Sequence, residues 1–347
     1  MGSFLYGLEQ LRKEDSERVG KKCANLGELT RAGFRVPPGF ALALDAYTQF
    51  MDENALTTAI ERFLGGFQLD PNVAADMSRY EEVSRAVRKM VEEAHMPTGM
   101  EEAIRDRYQA LCRLTGIADL PVATRSAGPA SHPGQYETFL NVKGAAGVVH
   151  HVKKVWSSTF NTRSLMARAR HKLPLASDPI GVAVLKMVNA KAAGVMFTIN
   201  PTDGDLSKIY IESNWGLGES VVAGEVTPDS FLVDKSSRAI VKRTISPKTV
   251  WYVPDANTGR VSLQTIPEKM QSASSLSDEE ILELAGLGQL AEDHFGVAQD
   301  LEWAVDLDLG FPQNVLLLQT RAVKQSAQKK SPTDKIIDLM IRRSAAR

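Results

Sequence analysis

Gln299-Asp300-Leu301-Glu302-Trp303-Ala304-Val305-Asp306, followed shortly by Leu316-Leu317-Leu318-Gln319-Thr320-Arg321, decides how this chain is read. Both runs are short and apolar-rich with polar residues alternating on one side, the pattern of half-buried strands. Leu309-Gly310-Phe311-Pro312-Gln313-Asn314 between them is rich in turn formers, so the simplest structure is an antiparallel hairpin. Period two puts Asp300 and Glu302 on one face and Leu301 and Trp303 on the other. A turn centred near Gly310-Phe311 sets Glu302 opposite Gln319 and Asp300 opposite Arg321. That face then carries two carboxylates, an amide oxygen and a guanidinium. Oxygen ligands of this kind suit Mg2+, which keeps waters and accepts phosphate oxygens. A guanidinium suits bidentate phosphate binding. A solvated hairpin with cross-strand ion pairs would use the same residues, so the hairpin alone leaves both readings open.

The chain has 347 residues, enough for two or three lobes with cores of their own. Its formal net charge of -1 gives no overall electrostatic case for a nucleic acid or an anionic membrane. No apolar run is long enough to span a bilayer. Met1-Gly2-Ser3-Phe4-Leu5 lacks the basic start and apolar core of a signal peptide. Cys23 and Cys112 lie far apart and form no metal-spaced pair, which points to two unpaired thiols in a reducing cytoplasm.

Gly20-Lys21-Lys22-Cys23-Ala24-Asn25-Leu26-Gly27-Glu28-Leu29 opens a helix to about Ala32, and Val36-Pro37-Pro38-Gly39-Phe40 leads into a short strand. Lysines at a helix start oppose the macrodipole; an anionic ligand explains them, and so does an exposed lysine pair. Asp45 is a candidate cap for a helix through Phe50. Further helices are expected at about Asn54–Phe63, Val73–His95 and Met100–Thr115, the last capped by Thr98 and stopped by Gly116. Pro121–Ser126 reads as a buried strand ending in an arginine and a serine. The loop Ala127–Thr138 that follows is rich in Gly, Pro and Ser, residues that let backbone amides approach a phosphate. No Walker-type or Rossmann glycine pattern is present. Ala145 to about Lys172 reads as one long helical stretch, in which the adjacent His150 and His151 do not share a face and make poor joint metal ligands. From Ile180 strands dominate: Gly181–Val188, Gly194–Ile199, Lys208–Ser213 and a meander from about Ser230 to Ile266. Ser277-Asp278-Glu279-Glu280 is a capping box for a helix ending before Gly296. Three segments result: 1–190 with the phosphate loop, 191–325 with the hairpin, and a basic tail 326–347 in which Thr333–Arg347 reads as a short helix.

Taken in order, these segments resemble the ATP-grasp nucleotide-binding domain of the phosphoenolpyruvate synthase and pyruvate phosphate dikinase family. The residues that carry the resemblance are Gly20–Leu29 with Val36–Phe40, Arg125-Ser126 with Pro133–Asn141, and Lys186-Met187-Val188 with Ala193–Thr198. Trp215–Glu219, Thr227-Pro228-Asp229, Leu301–Ala304 and Leu318–Arg321 complete the set. The resemblance spans roughly residues 18 to 323. It implies a two-lobed α/β (α+β) fold with mixed and antiparallel sheets, and ATP with Mg2+ as the bound species. It places Lys22, Arg125 and Arg321 on the ATP phosphates as catalytic residues, and Gly134 and Thr138 in the loop that covers them. Glu302 and Gln319 become the Mg2+ ligands with Asp300 nearby, in agreement with the strand-face reading. Leu185 and Met187 fall on the adenine side. Leu185 stands where the family usually has glutamine, which removes a base hydrogen bond. Lys21 replaces a usual glycine, and spacing to Asn25-Leu26 assigns the phosphate role to Lys22.

Enzymes of this family continue into a domain with a phospho-accepting histidine and then a barrel for the organic substrate. None of the six histidines here stands in that acceptor context. The chain therefore resembles the free-standing ATP-binding subunit of phenylphosphate synthase. This implies a cytoplasmic enzyme subunit that phosphorylates a histidine on a partner, releasing AMP and phosphate, with phenol as final acceptor bound mainly by that partner. A split phosphoenolpyruvate synthase is the alternative within enzymes, and a non-catalytic nucleotide sensor the alternative outside them.

Overall fold

The computed structural model describes residues 4–67, 77–129, 136–255 and 258–323. The chain opens with β1 (Leu5–Gly7), α1 (Ser16–Val19) and α2 (Lys21–Arg31), then β2 (Gly39–Leu42). Helices α3 (Leu44–Glu53), α4 (Leu56–Leu64), α5 (Met77–Glu93) and α6 (Thr98–Thr115) precede the strands β3 (Val122–Ala127) and β4 (Thr138–Val142). After α7 (Ala145–Ser157) and α8 (Thr162–Arg170) come β5 (Gly181–Lys186), β6 (Ala190–Phe197) and β7 (Lys208–Trp215). The rest comprises α9 (Glu219–Val222), β8 (Asp229–Asp234), β9 (Ala239–Thr244), β10 (Val250–Pro254), β11 (Val261–Thr265), α10 (Glu268–Gln271), α11 (Asp278–Phe295), β12 (Gln299–Asp306) and β13 (Val315–Ala322).

The strands form a five-stranded sheet, β1-β2-β5-β3-β4, a six-stranded sheet, β13-β12-β6-β7-β8-β9, and the hairpin β10-β11. Every strand pair among the described residues is antiparallel. The α/β class and the antiparallel sheets are as expected; a mixed sheet, also expected, is not found among the described residues.

Each sheet packs one face against helices that follow or precede it. In the first, Leu42, Val122, Val182 and Val184 meet helices α3 to α8, with Trp156 tilted against Phe50 at 5.0 Å and edge-on to Tyr47. In the second, Met196, Ile211, Phe231, Leu301, Trp303 and Leu317 pack on Ile281 and Leu284 of α11. That helix begins at the expected capping box, Ser277 Oγ accepting from the Glu280 amide, and ends at the left-handed Gly296.

Helix α2 ties the two sheets together. Its Cys23, Ala24 and Leu26 pack on Ala41, Ala183 and Leu185 of the first sheet, whereas Leu29 belongs to the second core. Asn25 Nδ2 donates to the Thr320 carbonyl at 2.8 Å, and Arg35 Nε to that of Val315 at 3.0 Å. The helix starts at Gly20, φ 81°, where a Cβ would lie 1.9 Å from the Ala127 carbonyl oxygen, so only glycine fits. Lys21 N–H donates to the Gly128 carbonyl at 3.0 Å, which fixes the helix start against the end of β3.

Several local expectations change. The stretch Ala145–Lys172 is two helices, because the hydroxyls of Ser158 and Thr159 bond back to the Val155 and Trp156 carbonyls and Asn161 caps a new helix by accepting from the Ser164 amide. Asp45 and Thr98 lie inside the first turns of α3 and α6; the caps are Ala43 and Pro97. The connector expected at 189–193 is mostly strand, since β6 starts at Ala190 and leaves the first sheet for the second. The start of the expected Val73–His95 helix, half of the phosphate loop including Gly134 and His132, and the basic tail lie outside the described residues. No helix among the described residues is long and apolar enough to cross a membrane.

Thr227-Pro228-Asp229 finds a structural use. Asp229 and Lys248 are both fully buried and paired at 2.6 Å. Asp229 also accepts from the amides of Ser246 and Ser275, and Lys248 donates to the Ser246 and Ala273 carbonyls. With these donors and acceptors matched, the pair anchors the segment around Ser275 to β8.

Candidate active site

The final hairpin has the register read from the sequence: Asp300 pairs with Arg321 and Glu302 with Gln319. A one-residue bulge follows, between Glu302 and Trp303. It lies on the turn side of these pairs and leaves their common face intact. Leu301 and Trp303 point to the core and are fully buried. The polar face looks into a cavity of about 1490 Å³ between the two sheets. That exceeds the roughly 300–1,000 Å³ usual for a small-molecule pocket, so a ligand of nucleotide size leaves room beside it.

From the first sheet, Arg125 of β3 reaches across. Its Nη2 donates to Glu302 Oε2 at 2.7 Å and to Gln319 Oε1 at 3.4 Å, and its Nη1 to the Leu318 carbonyl at 3.3 Å. Arg321 Nε donates to Asp300 Oδ2 at 2.7 Å. Lys22, in the first turn of α2, lines the same cavity, as do Thr138 at the start of β4, Leu185 at the end of β5, and Met187 just beyond it. The structure therefore brings together every described residue that the sequence singled out.

Charge is concentrated here. Burial would raise the Glu302 carboxyl, but the adjoining Arg125 guanidinium, its hydrogen bond, Lys22 and Arg321 win, and the group is held below the usual carboxylate range. Asp300 goes the other way: burial raises it, and Arg321 only partly offsets that. Burial and then repulsion from Arg125 lower the Lys22 ammonium to about 8, against the opposing pull of Glu302. Cys23, next to it and fully buried, is pushed up to about 12 and is an inert thiol.

The donor set fits Mg2+. Glu302 and Gln319 offer side-chain oxygens on one sheet face, and Asp300 a further carboxylate. No three His, Cys, Asp or Glu side chains among the described residues form a ready metal cage. A cation held by these residues would need further oxygens, such as those of phosphates and waters.

Glu219 escaped the reading from sequence as a site residue, although its Trp215–Glu219 motif was noted. It follows a glycine loop, and nothing in the local pattern says where that loop lies. Burial raises its carboxyl, and the Glu302 charge adds to the shift while Arg125 opposes it.

Residues 16–339 match the family described as pyruvate phosphate dikinase, AMP/ATP-binding domain. The chain is 36% identical over 363 aligned positions to the probable phosphoenolpyruvate synthase of Staphylothermus marinus, covering 94% of this chain and 43% of that protein. It is 38% identical over 309 positions to the probable phosphoenolpyruvate synthase of Methanocaldococcus jannaschii, covering 87% and 26%. With the phosphoenolpyruvate synthase of Aeropyrum pernix the identity is 36% over 369 positions, covering 96% and 44%. The chain thus spans less than half the length of these curated relatives. A match over most of the chain, with that charged cleft behind it, shows that the chain belongs to the pyruvate phosphate dikinase AMP/ATP-binding domain family.

Proposed function

We propose that this chain performs the nucleotide half of a dikinase-type phosphoryl transfer. ATP lies in the cleft between the two sheets with its phosphates at Lys22, Arg125 and Arg321. The observation that supports this is the convergence of those cations with Glu302 and Gln319 from both sheets on one cavity. Arg125 and Lys22 supply positive charge where the phosphates gain charge. Glu302 and Gln319, with Asp300 beside them, hold Mg2+, which neutralises phosphate charge when bound. Leu185 and Met187 line the base end.

The acceptor is a histidine outside residues 1–347, on a domain carried by a partner subunit. Its ring nitrogen attacks the β-phosphorus, the bond to the α-phosphate oxygen breaks, and AMP leaves. Water then releases the γ-phosphate, and the remaining phosphoryl group passes from histidine to a small molecule. The names of the relatives favour pyruvate chemistry for that last step. The resemblance to the free-standing subunit of phenylphosphate synthase favours phenol, giving phenylphosphate.

The test is to incubate the chain with labelled ATP, alone and with a histidine-bearing domain of this family, and then with pyruvate or phenol. ATP binding without transfer by the chain alone, and AMP as the product of the pair, are expected. ADP as the primary product, or stable label on this chain alone, would overturn the proposal. Binding without turnover in every combination would instead favour the nucleotide sensor.

Lys22 gives this site a pH signature. ATP affinity should fall as pH rises through about 8, because the ammonium that meets the phosphates is lost. Stability of the ligand-free chain should move the opposite way. Between about 8 and 10.5 the unfolded chain holds a proton that the folded Lys22 has given up, so stability rises with pH there. Calorimetric titration and urea unfolding at several pH values check both slopes. Lys22→Met should remove both inflections; their persistence in that variant would show that another group titrates.

A further inference from the structure

Among the described residues, Arg125 Nε and Glu219 Oε2 are buried with no hydrogen-bond partner. One is a donor and the other an acceptor, and both residues line the same cavity. An orphaned carboxylate oxygen is costly in a place closed to water unless something bound there satisfies it. The fold takes trouble to put it there. Gly216, φ 72°, has no room for a side chain, since a Cβ would lie 2.6 Å from the Tyr252 carbonyl oxygen. Leu217 N–H donates to that same carbonyl at 2.9 Å, so the β10-β11 hairpin clamps the loop. Gly218 then rests on β6, where a Cβ would sit 3.7 Å from that of Ala193. Ala193 faces the cavity, and two residues further on Val195 pairs directly with Glu302. The loop therefore delivers Glu219 to the cleft face of the second sheet, on the opposite side of Glu302 from Gln319.

We propose that Glu219 is a further ligand for the divalent cation that accompanies the nucleotide, holding it directly or through one of its waters from the side away from Gln319. The inference rests on the nucleotide reading above and deepens it. Glu302 and Glu219 come from β12 and from the start of α9, and with Gln319 they would leave the cation's remaining positions to phosphate oxygens and water, as Mg2+ prefers. Arg125 is held between the two carboxylates by charge, with its Nε–H left for a phosphate oxygen.

Mn2+ in place of Mg2+ tests this directly. Binding of Mn2+ to the whole chain with a non-hydrolysable ATP analogue is followed by electron paramagnetic resonance, in the wild type and in Glu219→Gln and Glu219→Asp. Glu219→Gln should weaken Mn2+ by about 10- to 100-fold, the scale of losing a supporting carboxylate at a metal. Analogue binding in the presence of EDTA should be unchanged or tighter, because a negative charge near the phosphates has gone. Glu219→Asp keeps the charge and should fall between; it serves as the folded control if Glu219→Gln is unstable. Unchanged Mn2+ affinity in Glu219→Gln, with wild type binding normally, would overturn this inference alone. No nucleotide-dependent Mn2+ binding by the wild type would overturn it together with the proposed function.

Discussion

Arg125→Met is expected to lower AMP formation by about 10³-fold, the lower end of what an arginine contributes to phosphoryl transfer. Arg125 spans from β3 of the first sheet to the carboxylate and amide of the final hairpin. Under the proposed function its removal takes a cation from the phosphates, and it also leaves the Glu302 carboxylate without the guanidinium that does most to offset its burial. The pair is mostly buried, with side-chain exposures of 16% and 23%. Breaking it should therefore cost on the order of 3 kcal/mol of stability. The double variant Arg125→Met/Glu302→Gln should regain part of that stability and none of the turnover, since the stranded charge is gone but the phosphate contact is still missing. Urea unfolding and AMP release measure the two effects separately. Turnover near the wild-type level in Arg125→Met would exclude Arg125 from the phosphates.

For Glu302→Ala the expected loss of turnover is roughly 10²-fold or more, the scale of losing a major electrostatic stabiliser. The carboxylate has two duties here. One oxygen accepts from Arg125, and under the proposed function the carboxylate also holds the cation, opposite Gln319 on the hairpin. Glu302→Gln separates them: the amide oxygen can still accept from Arg125, but the negative charge is gone. Equal losses in both variants would assign the effect to charge at the cation. A mild loss in Glu302→Gln beside a severe one in Glu302→Ala would assign it to holding Arg125. Turnover close to wild type in both would remove Glu302 from the site.

The hairpin residues were legible because their information is local. Strand period and turn position fix which residues face each other, and Glu302 with Gln319 needs nothing beyond that. The capping box at Ser277 was legible for the same reason, as one hydroxyl and one carboxylate within a single turn. Ala145–Lys172 was misread because the apolar pattern continues across the break. Ser158, Thr159 and Asn161 end one helix and start another through short-range side-chain bonds that periodicity does not register.

What the sequence alone determined was a set of chemically suited residues and the two strands that present some of them on a common face. Only the tertiary structure decided that Arg125 meets Glu302 across 177 residues of chain. Only it shows α2 seated on both sheets, which brings Lys22 into the cavity and lowers its ammonium to about 8. The placement of Glu219 belongs here too. Its loop lies over β6 because the Tyr252 carbonyl, from a hairpin further along the chain, holds Leu217 in place. The physical reason is the same in each case. Burial and the field of neighbouring charges depend on which segments pack together, and packing between distant segments leaves no periodic trace in either one.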